Sequence, residues 1–152
     1  MSISSNSDLM RQIIMDHYSK PRNKKTPIDN SYLTIHMDSV SCIDDLHIYL
    51  KIKNDIVEDV LWDGVGCAIS IASTSIMSEL IKGLTLNEAN KVINNYLAML
   101  KSEPFDEEIL DEAIVFINTG KQASRIKCAT IGWEGLKHLL DQAEGINKWL
   151  EE

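Results

Sequence analysis

The hydrophobic period of the chain changes at Gly66, and that change limits the fold more than any other feature. Ahead of it, "LHIYLKI" (46–52) alternates, with Leu46, Ile48, Leu50 and Ile52 on one face and His47, Tyr49 and Lys51 on the other. Period two is that of a half-buried strand. "KND" is a turn, and "IVEDVLWDG" (56–64) reads as the returning strand of a hairpin, with less regular alternation. Segment 32–38 supplies a further strand. After Gly66, the residues Ile69, Ala72, Ile76 and Leu80 recur at helical spacing until Gly83, a stop signal. "TLNEANKVINNYLAML" (85–100) opens on a Thr85/Glu88 capping box and continues as an amphipathic helix. A short helix is expected over 107–117. A last main helix over 123–143 carries Ile126, Ala129, Trp133, Leu136 and Leu140, and "GINKWLEE" is expected to form a terminal turn. Before the sheet, Leu9, Met10, Ile13, Ile14, His17 and Tyr18 predict a helix opening at Ser7 and Asp8, while residues 1–6 are expected to fray. Helix, small antiparallel sheet, then a run of helices predicts an α+β fold with the helices packed on one face of the sheet. One domain over 1–152 is expected.

The 152 residues suffice for a real core without covalent staples, and 44% apolar with 25% charged residues is a globular composition. A formal charge of −8 argues against binding nucleic acid through phosphates, and against an anionic membrane surface. No stretch approaches the roughly 18 uninterrupted apolar residues of a spanning helix. "MSISSNSDLMRQ" lacks a basic segment followed by an apolar block, so a cytoplasmic protein with reduced thiols is expected. The basic loop "SKPRNKKTP" (19–27) reads either as a docking surface for an acidic partner or as a solvated loop.

Three cysteines are too few for a disulfide framework, and none lies in a CxxC pair. Cys42 sits in the polar "DSVSCIDD", two residues before Asp44. Cys67 follows "DGVG" at a helix start, where the dipole and free N–H groups favour a thiolate. Cys128 lies in "ASRIKCA", close to Arg125 and Lys127. Taken singly, each is most simply a small buried hydrophobe. Taken together, three thiolates and Asp44 make a complete four-donor tetrahedral set, in which the hard carboxylate is the weaker partner for a soft metal. His17, His36, His47 and His138 read as structural or surface residues, and Trp62 and Trp133 as core or interface anchors.

Four stretches resemble the SufU/IscU-type iron–sulfur cluster assembly family, in the family's order. "IIMDHYSKPRN" (13–23) is similar to its N-terminal helix and Pro-Arg-Asn loop, and "SVSCIDD" (39–45) to its Asn-Pro-Thr-Cys-Gly-Asp motif. "DGVGCAISIASTSIMSE" (63–79) follows its Gly-x-Gly-Cys-Ala-x-Ser-x-Ala-Ser block almost position by position, and "RIKCATIGW" (125–133) its Arg-x-Lys-Cys-Ala end. The resemblance implies metal ligation by Cys42, Asp44, Cys67 and Cys128; Asp45 is the register alternative, and the family's Cys-x-Asp spacing selects Asp44. Lys127 stands where IscU-type scaffolds carry a His, which resembles the SufU branch. Ser39, Val40 and Ile43 replace the usual Asn, Pro and Gly, which alters the backbone freedom around Cys42.

For the SufU branch the resemblance implies a zinc-bound sulfur acceptor. Its donor is a PLP-dependent cysteine desulfurase, and downstream iron–sulfur assembly proteins receive the sulfur. A donor His from the desulfurase would free Cys42 to attack the persulfide, with Asp44, Cys67 and Cys128 keeping the metal. Arg125 and Lys127 either support the anions electrostatically or form surface ion pairs. Two alternatives use the same residues. One is a scaffold on which an iron–sulfur cluster forms, and the other a metal-stabilised adaptor whose thiols never react.

Overall fold

The computed structural model describes residues 2–39 and 43–151. Cys42 therefore lies outside the described residues. Three strands, Leu33–Asp38 (β1), Asp45–Lys53 (β2) and Ile56–Val65 (β3), form an antiparallel sheet in the order β1-β2-β3. Four α-helices, Ser7–Ser19 (α1), Ala68–Ile81 (α2), Leu86–Leu100 (α3) and Ala123–Glu151 (α4), join this sheet. The α+β architecture expected from the period change is the one observed.

The hairpin between β2 and β3 turns on Asn54 and Asp55, both at positive φ (54° and 60°), with Lys53 paired to Ile56. Two consecutive left-handed residues suit a tight hairpin, because their twist matches that of the strands. Leu46, Ile48 and Leu50 of β2 are fully buried, and so are Val57, Val60 and Trp62 of β3. Across this inner face lies α4. A Cβ on Gly135 would sit 2.8 Å from Met37 and 3.3 Å from Ile48, so the missing side chain lets helix backbone settle on strand side chains.

The free edge of β3 is covered by the basic loop. The Trp62 N–H donates to the Asn23 carbonyl (3.1 Å) and the Trp62 indole N–H to the Arg22 carbonyl (2.8 Å). Lys24 lies over the Trp62 ring, 5.7 Å from its centroid. This is an edge-protection device, and it gives "PRNKK" a structural task.

Three boundaries differ from expectation. The segment Glu108–Phe116 is 3₁₀ with a break at Asp111 (φ 45°, ψ −125°). Leu110 and all of Ala113–Phe116 are buried. One α-helical face cannot hold those five positions, and the break turns both halves inward. The last helix does not stop near 143 but runs to Glu151, through "GINKWLE", with the glycine at 145 meeting nothing within 4 Å. At the other end, Ile3–Ser5 wind into a 3₁₀ turn that lays Ile3 on the core, and the cap of α1 is Asn6, whose side chain accepts from the Leu9 N–H at 3.0 Å. Thr85 and Glu88 do form their capping box.

Candidate metal centre

Helix α2 is buried on nearly every side, so its serines and threonine cannot face water. Ser73 donates to the Ala129 carbonyl (2.7 Å) and accepts from the Trp133 indole N–H (2.9 Å). Ser75 accepts from the Arg22 N–H (2.8 Å) and bonds His17 Nδ1 (2.8 Å), while His17 Nε2 meets Glu112 at 3.2 Å. Ser78 accepts from the Asn23 amide (2.9 Å). Each of these serine hydroxyls fastens another part of the chain to one helix. Ser70, at the N-terminus of α2, fastens Asp44.

The Asp44 side chain is 2% exposed. Its Oδ1 accepts from the Cys67 N–H at 3.0 Å and from the Ser70 hydroxyl at 2.8 Å. A carboxylate from the entrance to β2 thus satisfies orphan donors at the start of α2, where the helix dipole also favours negative charge. The glycines of "DGVG" are explained here. Gly64 has φ +127°, and a Cβ there would collide with the Asp45 carbonyl. A Cβ on Gly66 would lie 2.9 Å from Asp44 Oδ1 and collide with Ser70 Oγ. Only hydrogen at Gly66 lets the carboxylate in.

Cys67 is the N-cap residue of α2, extended at φ −70° and ψ 170°, and Cys128 stands on the second turn of α4. That turn is pinned through Ala129, whose carbonyl also accepts from the Tyr96 hydroxyl at 2.7 Å. Tyr96 is fully buried and stacks on Trp133 with ring centroids 3.8 Å apart. One ligand atom each from Asp44, Cys67 and Cys128 lies within 4.8 Å of the others. Tetrahedral zinc separates its donors by about 3.3–3.8 Å, so a small contraction closes the set.

Electrostatics agree with that reading. Burial pushes the Cys128 thiol up, and a hydrogen bond with Cys67 and the negative charge of Cys67 and Asp44 push it further. Only a cation among these three groups makes all of them comfortable as anions. Soft thiolates with one oxygen donor fit zinc and leave a position for a further ligand.

Of the sequence-derived ligands, the structure brings Asp44, Cys67 and Cys128 together, and Cys42 lies outside the described residues. Asp45, the register alternative, is exposed and points to the opposite face of the sheet. Arg125 and Lys127 are both exposed and form no ion pair among the described residues. Lys127 lines a groove of about 510 Å³ with Met37, Asp38, Ser39 and Thr130, between β1 and α4. Ile43, next to Asp44 in the chain, is an apolar residue left 69% exposed. Sequence reasoning missed Ser70, although its position three residues after the N-cap is where a side chain turns back to the cap.

Across residues 9–138 the chain matches the family model described as the NifU-like N-terminal domain. It is 37% identical over 149 residues to the zinc-dependent sulfurtransferase SufU of Bacillus subtilis, covering 97% of this chain and 100% of that protein. To the iron–sulfur cluster assembly scaffold protein IscU of Thermotoga maritima it is 30% identical over 129 residues, covering 85% and 90% respectively. A crystal structure of an iron–sulfur cluster assembly scaffold protein for the SUF system, from Fervidobacterium islandicum, superposes with a TM-score of 0.79 at 35% identity. That match covers 85% of this chain and 94% of the other.

Proposed function

The chain belongs to the NifU-like N-terminal domain family, a family of iron–sulfur cluster assembly proteins, and on that premise we propose that it is a zinc-bound sulfur acceptor served by a PLP-dependent cysteine desulfurase. The convergence of Asp44, Cys67 and Cys128 from three separate elements carries this reading. The near full-length similarity to the B. subtilis zinc-dependent sulfurtransferase supports it.

In the proposal Cys42, Asp44, Cys67 and Cys128 hold the metal, which keeps thiolates unprotonated yet subdued as nucleophiles. Asp44 is fixed by Cys67 N–H and Ser70, Cys67 by its place as the N-cap of α2, and Cys128 by the anchored turn of α4, so these three are the ligands that stay. Cys42 is the acceptor. Its thiolate attacks the terminal sulfur of the donor's persulfide; the donor S–S bond breaks, its cysteine leaves as thiolate, and Cys42 carries the persulfide onward. One S–S bond forms as one breaks, so no external oxidant is needed. Arg125 and Lys127 stand exposed beside Cys128, where they favour incoming anions. Downstream iron–sulfur assembly proteins take the sulfur, in the cytoplasm. None of the helices among the described residues is long and apolar enough to cross a membrane.

Untagged, anaerobically purified protein is expected to hold about one zinc per chain after dialysis, without iron. Incubated with a cysteine desulfurase and sulfur-labelled cysteine, it is expected to retain label that reductant removes, and Cys42→Ser to retain none while keeping its fold. Label retained equally by Cys42→Ser overturns the acceptor assignment. The scaffold reading draws on the T. maritima relative, and bound iron with acid-labile sulfide would establish it instead.

A further inference from the structure

The outer face of the sheet carries a second cluster of metal-ligating side chains, separate from the one that Asp44, Cys67 and Cys128 form. Strand alternation places Thr34, His36 and Asp38 of β1 on this face with Asp45, His47 and Tyr49 of β2. His36 pairs with His47 in register, and their rings stack with centroids 4.4 Å apart and planes 8° apart. Asp45 Oδ1 lies 2.6 Å from His36 Nε2. One ligand atom each from His36, Asp45 and His47 lies within 4.8 Å of the others, and all three residues are exposed. Register brings two further carboxylates to the same patch, Asp38 opposite Asp45 and Asp63 opposite His47. Two imidazoles thus sit among three acidic side chains on a rigid antiparallel pair.

We propose that His36, His47 and Asp45 form a second metal site, open to solvent, for a divalent first-row transition ion of the nickel or zinc type. Imidazole nitrogen with one carboxylate oxygen selects such ions over calcium or magnesium, which demand oxygen donors. Three protein ligands on one side leave the remaining positions to water. The ligands come from paired strands, so their approach is set by the sheet and little chain entropy is lost on binding. For His36 Nε2 to serve as a ligand, that nitrogen must carry no proton, so the ring holds its proton on Nδ1 and Asp45 turns from hydrogen-bond partner to ligand. The proposal stands apart from the cysteine centre, since none of the three side chains belongs to it.

The test uses untagged protein, loaded first with one equivalent of zinc to occupy the thiols and then titrated with Ni²⁺. Calorimetry is expected to give one further site filled at micromolar concentrations. Paramagnetic broadening in proton–nitrogen spectra should fall on the His36 and His47 rings and spare His17 and His138. His36→Gln and His47→Gln should each weaken this site by more than about 100-fold, beyond what loss of an outer-shell partner does. Both residues are exposed, so the variants should keep the wild-type circular dichroism and zinc content. Binding only in the millimolar range, affinity unchanged in the two variants, or broadening centred elsewhere would each overturn the site.

Discussion

Asp44 is in place before any metal arrives, because two donors at the head of α2 hold one of its oxygens. Gly66 is the residue on which this depends. A methyl group at that position meets Asp44 Oδ1 at 2.9 Å and Ser70 Oγ more closely still, both polar atoms already engaged with each other. Gly66→Ala is therefore expected to push the carboxylate off the helix start and lower zinc affinity by about 10–100-fold, the range for disturbing a ligand's supporting shell. A competition titration with a chromophoric chelator measures it. Ser70→Ala, which removes one donor without adding bulk, should fall at the lower end, and equal affinity in both variants and wild type would sink the argument. Cys67 and its glycines were legible in sequence because a thiol behind "DGVG" at a helix start has few structural uses. The Ser70 support was not, since it depends on a residue 26 positions away.

At the level of elements, α2 is the part on which the rest of the fold is fastened, and its hydroxyls differ in how they are satisfied. Ser75 serves both the Arg22 N–H and the buried His17, whereas Thr74 Oγ1 is buried with no hydrogen-bond partner among the described residues. Opposite outcomes are expected on one helix. Ser75→Ala leaves two polar groups unmatched and should cost about 1–3 kcal/mol, whereas Thr74→Val removes an unmatched hydroxyl at nearly constant shape and should gain about 1 kcal/mol. Urea midpoints at unchanged slope are the measurement, and a loss in both variants would refute the accounting for Thr74. Strand and helix positions were readable from period alone, since β2 alternates cleanly and α3 carries its own capping box. The clamp of residues 22–24 against β3 and α2 was not readable. Backbone carbonyls of Arg22 and Asn23 make its key contacts, and carbonyls leave no mark on the sequence. The broken 3₁₀ run around Asp111 was hidden for a related reason: five apolar residues allow a helix until the core demands all of them at once.

At the scale of the whole molecule, a chain of charge −8 presents an apolar residue, Ile43, next to Asp44 of the candidate metal centre. Ile43 follows Cys42 directly and precedes Asp44, so it stands at the approach to that carboxylate, whereas Val65 pairs with Asp45 and shares its outer face. The 69% exposure of Ile43 leaves most of its side chain for a partner to cover. Full burial of such a side chain is worth about 1.5–3 kcal/mol, or at least tenfold in affinity. Ile43→Asp is expected to raise the concentration needed for half-maximal stimulation of the proposed desulfurase by about tenfold or more, while Val65→Asp, on the outer face with Asp45, should leave it unchanged. Zinc content should not change, since neither side chain supplies a ligand. Salt distinguishes this contact from a charged one, because attraction through Lys127 or Arg125 weakens as ions screen it while burial of Ile43 does not. Half-saturation measured in low and moderate salt therefore decides the point. A defect of Ile43→Asp that persists in salt places the partner at this apolar side chain, whereas wild-type behaviour in that variant moves the docking surface to the basic end of α4.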